Sequence, residues 1–97
     1  MTNYDNAYGK FVGALADHCA EQHQMNTLLD KIDERDIALL CIIDSEEANF
    51  RAIKKFIEKA HSLEISPKYK RIIMYAYIDA AEEILEEVEN KYGCNTL

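Results

Sequence analysis

Cysteine, histidine and carboxylate side chains hold most metal ions in proteins, and one pair in this chain has a suitable spacing. Cys19 and His23 lie four residues apart, so on a helix both side chains share a face. Zinc needs three or four such ligands, and Cys41 or His61 would have to come from distant segments. We therefore expect packing or surface roles for the pair, and no metal or cofactor.

Catalytic patterns are also missing from the sequence. The three serines stand at predicted helix ends, where capping a backbone N–H explains them better than nucleophilic chemistry. Gly9 and Gly13 are isolated glycines in a helical context and do not form a phosphate-binding loop. Cys94 stands four residues from the end, as in a prenylation signal, but polar residues follow it where aliphatic ones are favoured. The sequence does not indicate an enzyme.

The charges are segregated along the chain. Residues 1–50 carry ten acidic and three basic side chains, residues 51–71 two and seven, and residues 72–97 six and one. The net charge of −7 is therefore the sum of −7, +5 and −5. Two acidic regions thus flank one basic stretch.

The last acidic region predicts a partner-binding ridge on the C-terminal helix. Spacings of three and four residues set neighbouring carboxylates about 5–6 Å apart, close to the spacing of phosphates. Such a ridge would fit a basic surface, for example on a nucleic-acid-handling enzyme. A solvated glutamate-rich face is the simpler interpretation. The ridge consists of Asp79, Glu82, Glu83, Glu86, Glu87 and Glu89.

The basic stretch supports an alternative, in which a nucleic acid is the ligand. Its first part would supply phosphate contacts through Arg51, Lys54, Lys55 and Lys59. The chain has an isoelectric point near 4.8, whereas nucleic-acid-binding domains usually present a dominant basic field. We therefore rank nucleic acid below protein as a partner.

The C-terminal helix also predicts a homodimer. Its first turns are basic and its end is acidic, the reverse of what the helix dipole favours. Antiparallel packing of two copies would set the basic end of each beside the glutamates of the other. The predicted contact residues are Lys68, Lys70, Arg71, Ile72 and Tyr75.

Apolar residues recur at helical spacing and predict four helices, over residues 3–24, 27–43, 45–62 and 67–92. Ser66 followed by Pro67 is a clear helix start. The run Ile37–Ile43 lacks polar residues and fits a buried helix or a buried strand; helix is preferred because no glycine or proline bounds it.

Two faces of these helices have predicted roles in packing. The stripe of small residues Gly9, Gly13, Ala16 and Ala20 predicts close packing in the core, with an oligomer contact as the alternative. The third helix is expected to turn Phe50, Ile53, Phe56, Ile57 and Ala60 toward the core.

These patterns together predict one all-α domain over residues 1–97, a compact four-helix arrangement. An odd number of cysteines and the lack of a signal peptide favour a reduced, cytoplasmic protein that does not enter membranes. By elimination, the expected function is protein binding: a small acidic inhibitor or regulator that occludes a basic surface, by analogy with antagonists and immunity factors of phages and mobile elements. The alternatives are a nucleic-acid-binding regulator and a structural subunit of a larger assembly.

Overall fold

A computed structural model describes the backbone of residues 2–92 and the side chains of residues 2–91. Within this range the chain forms five helices and no strand. They are α1 (Tyr4–His18), α2 (Gln22–Leu29), α3 (Glu34–Cys41), α4 (Glu46–Ser62) and α5 (Pro67–Tyr92). The all-α prediction is confirmed, and no helix in the described part is long and apolar enough to cross a membrane.

The last two helices begin and end close to their predicted bounds. Local capping residues in the sequence mark where each of them starts. The Ser45 hydroxyl accepts the Ala48 N–H at the start of α4. The Ser66 hydroxyl accepts the Tyr69 N–H at 3.2 Å, directly before Pro67. Gly93, a predicted helix stop, lies outside the described residues.

The first half of the chain is divided differently from the prediction. α1 ends at His18 because Cys19 adopts an extended backbone, and the chain turns there so that Leu28 of α2 reaches the core. A second break falls between Leu29 and Glu34. Asp33 and Asp36 form a capping box that starts α3. Two helices were thus predicted where the structure has three.

The run Ile37–Ile43 is helical through Cys41, so the preferred interpretation is confirmed. Ile37, Leu40 and Ile43 are buried, whereas Ile42 is 55% exposed. The segment lacks partner strands. It forms an amphipathic helix that instead packs its apolar face against α1 and α4.

One apolar core joins all five helices. At its centre the Tyr77 ring stacks on Phe56 with centroids 4.0 Å apart, and Phe11 meets both rings edge-on. These three residues come from α5, α4 and α1, which make the most extensive contacts in the fold. α5 is therefore the element on which the other long helices pack.

A buried polar cluster connects α3, α4 and α5 beside the aromatic rings. The Tyr77 hydroxyl donates to the Asp36 carbonyl oxygen at 2.7 Å. The Asp36 carboxylate accepts the Asp33 N–H and the Lys59 ammonium. Burial raises the pKa of Tyr77 well above its ordinary value, with the nearby Asp36 charge adding to the effect. The phenol therefore remains a hydrogen-bond donor at all ordinary pH values.

Two predictions about packing are wrong. Phe50, expected in the core, is 68% exposed, because Ala52, Phe56 and Ala60 form the buried stripe of α4 and Phe50 lies outside it. Gly9 and Gly13, expected at a close helix contact, are exposed. Both glycines instead border the groove described next.

Candidate functional site

A groove of about 540 Å³ runs between α1 and α5. The α1 side contributes Asp5, Gly9, Gly13 and Asp17, which are four residues apart and therefore follow one face of the helix. The α5 side contributes Asp79 and Glu83. The remaining lining residues are Asn6, Lys10 and Ala14. Four carboxylates and one lysine thus line the groove, which makes it strongly acidic.

Lys10 crosses from α1 to the acidic side of α5. Its ammonium lies 2.8 Å from a Glu87 carboxylate oxygen and 3.5 Å from one of Glu83. The Glu87 carboxylate also accepts the Asn6 side-chain amide at 3.2 Å. The hydrogen bond from Lys10 lowers the pKa of Glu87, and the hydrogen bond to Glu87 raises that of Lys10. This pair holds the two helices at the end of the groove nearest the start of α1.

His18 closes the opposite end. Its Nε2 lies 2.8 Å from a carboxylate oxygen of Asp79, and both side chains are partly exposed. The ring also lies beside Tyr75, with centroids 6.0 Å apart. Asp5 and Asp17, which flank the two glycines of α1, are exposed and have no ion-pair partner among the described residues.

The floor of the groove is helix backbone. A Cβ placed on Gly9 or Gly13 would meet no atom within 4 Å, and neither glycine has a positive φ. Neither the packing nor the backbone conformation of this chain therefore requires glycine there. Each costs helix stability, roughly 1 kcal/mol relative to alanine. What the two glycines provide is open space next to the α1 backbone.

The structure divides the predicted acidic ridge into two faces. Asp79, Glu83 and Glu87 turn toward α1 and contact His18 and Lys10. The other three glutamates are exposed and make no ion pair among the described residues: Glu82, Glu86 and Glu89. Of the first set, Asp79 and Glu83 line the groove, and Glu87 lies beside it in contact with Lys10.

The predicted basic residues of α4 differ in their contacts. Lys59 is directed to the buried Asp36, and Arg51 pairs with Glu47 within α4. Lys54 and Lys55 are exposed on α4. Within α4, two of the predicted basic residues therefore make no ion pair in the described structure. A phosphate-binding face usually has more free basic side chains than two.

The predicted dimer residues also separate. Ile72 is buried within the chain, and the Lys70 ammonium donates to the His61 carbonyl oxygen at 2.8 Å. Lys68, Arg71 and Tyr75 are exposed on α5. The apolar run from Ile72 to Ile78 is mostly covered by the chain itself, since four of its seven residues are buried and two are half-buried, while Tyr75 is 54% exposed.

Metal ligands do not converge in the part of the chain that the structure describes: no group of three or more histidine, cysteine or acidic side chains could hold an ion there. Cys19 is half-buried against the core and His23 is exposed. Desolvation raises the pKa of the Cys19 and Cys41 thiols, which favours the unreactive protonated form. Cys94 lies outside the described residues.

The groove was not predicted from the sequence, although the α1 residues that line it have a recognisable spacing there. The regular spacing of Asp5, Gly9, Gly13 and Asp17 sets two glycines between two carboxylates on one helix face. The opposite wall could not be read from the sequence, because Asp79 and Glu83 are more than sixty residues away. No protein-family model, curated protein or solved structure matches the chain.

Proposed function

We propose that this protein is a small protein-binding module whose α1–α5 groove takes a basic segment of a partner protein and thereby occludes it. The groove is concave and acidic, and the α1 backbone is accessible in it at Gly9 and Gly13. Those properties suit lysine and arginine side chains presented by another chain. Charge complementarity of this kind also speeds the encounter of two proteins.

One observation carries the proposal: two exposed glycines lie between two carboxylates that make no ion pair among the described residues. Gly9 and Gly13 weaken α1 without serving its packing. Asp5 and Asp17 stand at either side of them on the same face. A bound chain would gain close approach at the glycines and charge contacts at the aspartates.

A nucleic acid is the less favoured ligand. Phosphates would be repelled by the groove, and in α4 only Lys54 and Lys55 remain for them among the predicted residues. A regulator that acts on a nucleic-acid-handling enzyme would instead present carboxylates to the basic surface of that enzyme. We therefore retain an inhibitor or antagonist as the specific form of the proposal.

The proposal is tested by capture from a nuclease-treated lysate of the native host. The baits are the wild-type chain, Asp5→Asn/Asp17→Asn and Asp44→Asn/Glu58→Gln. The second variant is the matched control, since it removes the same charge from exposed positions outside the groove and away from α5. We expect one stoichiometric protein with the wild type and the control, and little with the groove variant.

Two results would contradict the proposal. One is equal recovery of the protein by the groove variant and the wild type. The other is recovery of nucleic acid from untreated lysate with no protein partner after nuclease treatment.

We also propose that the protein is a homodimer. Because Lys68, Arg71 and Tyr75 are exposed on a face of α5 that does not line the groove, two copies can associate while both grooves stay open.

A further inference from the structure

The outer face of α5 is defined here as the eight residues Lys68, Arg71, Tyr75, Ile78, Glu82, Leu85, Glu86 and Glu89. At 100° per residue they form one stripe. Six of them are exposed, and Ile78 and Leu85 are half-buried. None lines the groove. The stripe is about 32 Å long, or roughly six turns of helix.

The charges on this face are arranged symmetrically about its middle. Lys68 lies ten residues before Ile78, and Glu89 lies ten residues after Asp79. Arg71 and Glu86 lie seven residues before and after the same two positions. Tyr75 and Glu82 lie three residues before and after them. Each pair is therefore centred on the same point of the helix, between residues 78 and 79.

A second copy placed antiparallel about that point would satisfy all three pairs at once. A twofold axis there brings Lys68 beside Glu89, Arg71 beside Glu86 and Tyr75 beside Glu82, each pair twice. The two Ile78 side chains would meet at the axis. No like charges on the stripe oppose each other in this register.

The antiparallel arrangement would also compensate the unfavourable interaction between these charges and the dipole of their own helix. The exposed cations Lys68 and Arg71 lie near the positive end of the α5 dipole, and Glu86 and Glu89 lie toward its negative end. Within one chain these charges oppose the dipole. In an antiparallel pair each set would lie beside the favourable end of the other helix.

We infer that the protein forms a twofold symmetric dimer in which two α5 helices pack antiparallel through the outer face, centred between residues 78 and 79. The surface is separate from the groove, so the dimer does not depend on the proposed function. Each dimer carries two acidic grooves.

The test is the solution mass, measured by light scattering and sedimentation, of the wild type, Arg71→Glu, Glu86→Arg and the double variant with both changes. We expect the wild type to be a dimer. Each single reversal should raise the dissociation constant about tenfold or more, because symmetry changes two pairs at once. The double variant should restore the dimer, since the exchanged charges again attract.

Controls separate this outcome from a general charge effect. Lys54→Glu and Lys55→Glu make the same type of reversal on the exposed face of α4 and should leave the dimer intact. All changed side chains are exposed, so helix content by circular dichroism should not change. A monomeric wild type, unaffected single variants or an unrestored double variant would each overturn the inference.

A second measurement tests the register itself. With the native cysteines replaced by serine, Ile78→Cys should be joined rapidly into a covalent dimer by a short thiol crosslinker. Glu58→Cys, at an exposed position of α4, is the control and should react slowly. Equal rates for the two variants would contradict the proposed axis.

Discussion

The hydroxyl group of Tyr77 joins the aromatic core to α3. Its ring is fully buried between Phe56 and Phe11, and its oxygen donates to the Asp36 carbonyl. A buried hydrogen bond of this type contributes about 1 kcal/mol. The residue therefore combines packing with positioning of the α3 start.

Tyr77→Phe should lower the free energy of unfolding by about 1–2 kcal/mol, because the ring is kept while a buried hydrogen bond is lost. Urea unfolding followed by circular dichroism measures the change. Tyr8→Phe is the matched control: its side chain is 41% exposed, so its effect should be about 0.5 kcal/mol or less. Equal effects of the two variants would contradict the role given to the Tyr77 hydroxyl.

The contact between Lys10 and Glu87 predicts a pH dependence. The pKa of Glu87 is lowered in the folded chain from an ordinary value of 4.5. A carboxylate with a lowered folded pKa stabilises the fold above its unfolded pKa, and this stabilisation is lost as the pH falls through the folded value. The free energy of unfolding should therefore decrease between about pH 5 and pH 3.

The variant Glu87→Gln isolates that contribution. Its unfolding free energy should depend less steeply on pH over the same acidic range, because the titrating group at this contact is gone. Glu58→Gln is the control at an exposed position of α4 that belongs to neither proposed surface, and should keep the wild-type slope. Urea titrations at several acidic pH values give the comparison, and parallel curves for Glu87→Gln and the wild type would show that the pair does not stabilise the fold.

At the scale of elements, α1 differs from the other helices because it carries two exposed glycines in its interior. Gly9→Ala and Gly13→Ala should each raise the free energy of unfolding by about 0.5–1 kcal/mol, since alanine favours the helix and nothing lies within 4 Å of the added carbon. Thermal and urea unfolding measure both. A loss of stability would show that the groove floor is packed against something.

The same positions separate stability from binding. Gly13→Leu adds a side chain to the open floor of the groove, so it should fold as well as the wild type and bind the captured partner more weakly. A helix-stabilising change that reduces binding is not explained by damage to the fold. Ala38→Leu, on the exposed face of α3, is the matched control and should bind normally.

Helix bounds followed from the sequence where a local capping signal exists. The capping spacing of Asp44 and Glu47 predicted the start of α4, where Ser45 provides the cap instead, and Ser66 with Pro67 predicted the start of α5. The end of α1 could not be predicted, because Cys19 is not a typical helix-ending residue and the turn there serves the burial of Leu28. The predicted helix over 27–43 runs through Asp33, which with Asp36 instead forms the cap of a new helix.

Contacts between distant residues were not predictable. The carboxylate of Asp36 meets Lys59, which is twenty-three residues further along, and this removes one cation from the predicted basic face. The acidic ridge was predicted as one surface because helical spacing does not say which side a neighbouring helix covers. Only the position of α1 assigns Asp79 and Glu83 to the groove and leaves the exposed glutamates Glu82, Glu86 and Glu89 outside it.

At the scale of the whole molecule, the charges that are segregated along the sequence form two separate surfaces with different proposed roles. The groove gathers carboxylates of α1 and α5 that are far apart in the chain. The outer face of α5 gathers opposite charges at its two ends. We propose that the first surface binds a basic partner and that the second binds another copy of the protein.

The most direct test of the central claim is a calorimetric titration of the captured partner with the wild type, Asp5→Asn/Asp17→Asn and Glu82→Gln/Glu86→Gln at low and high salt. We predict that the groove variant binds at least tenfold more weakly at low salt, and that its affinity falls less with salt than that of the wild type. The outer-face variant should bind like the wild type. Weaker binding by the outer-face variant, with normal binding by the groove variant, would contradict the claim and assign the partner to the other face of α5.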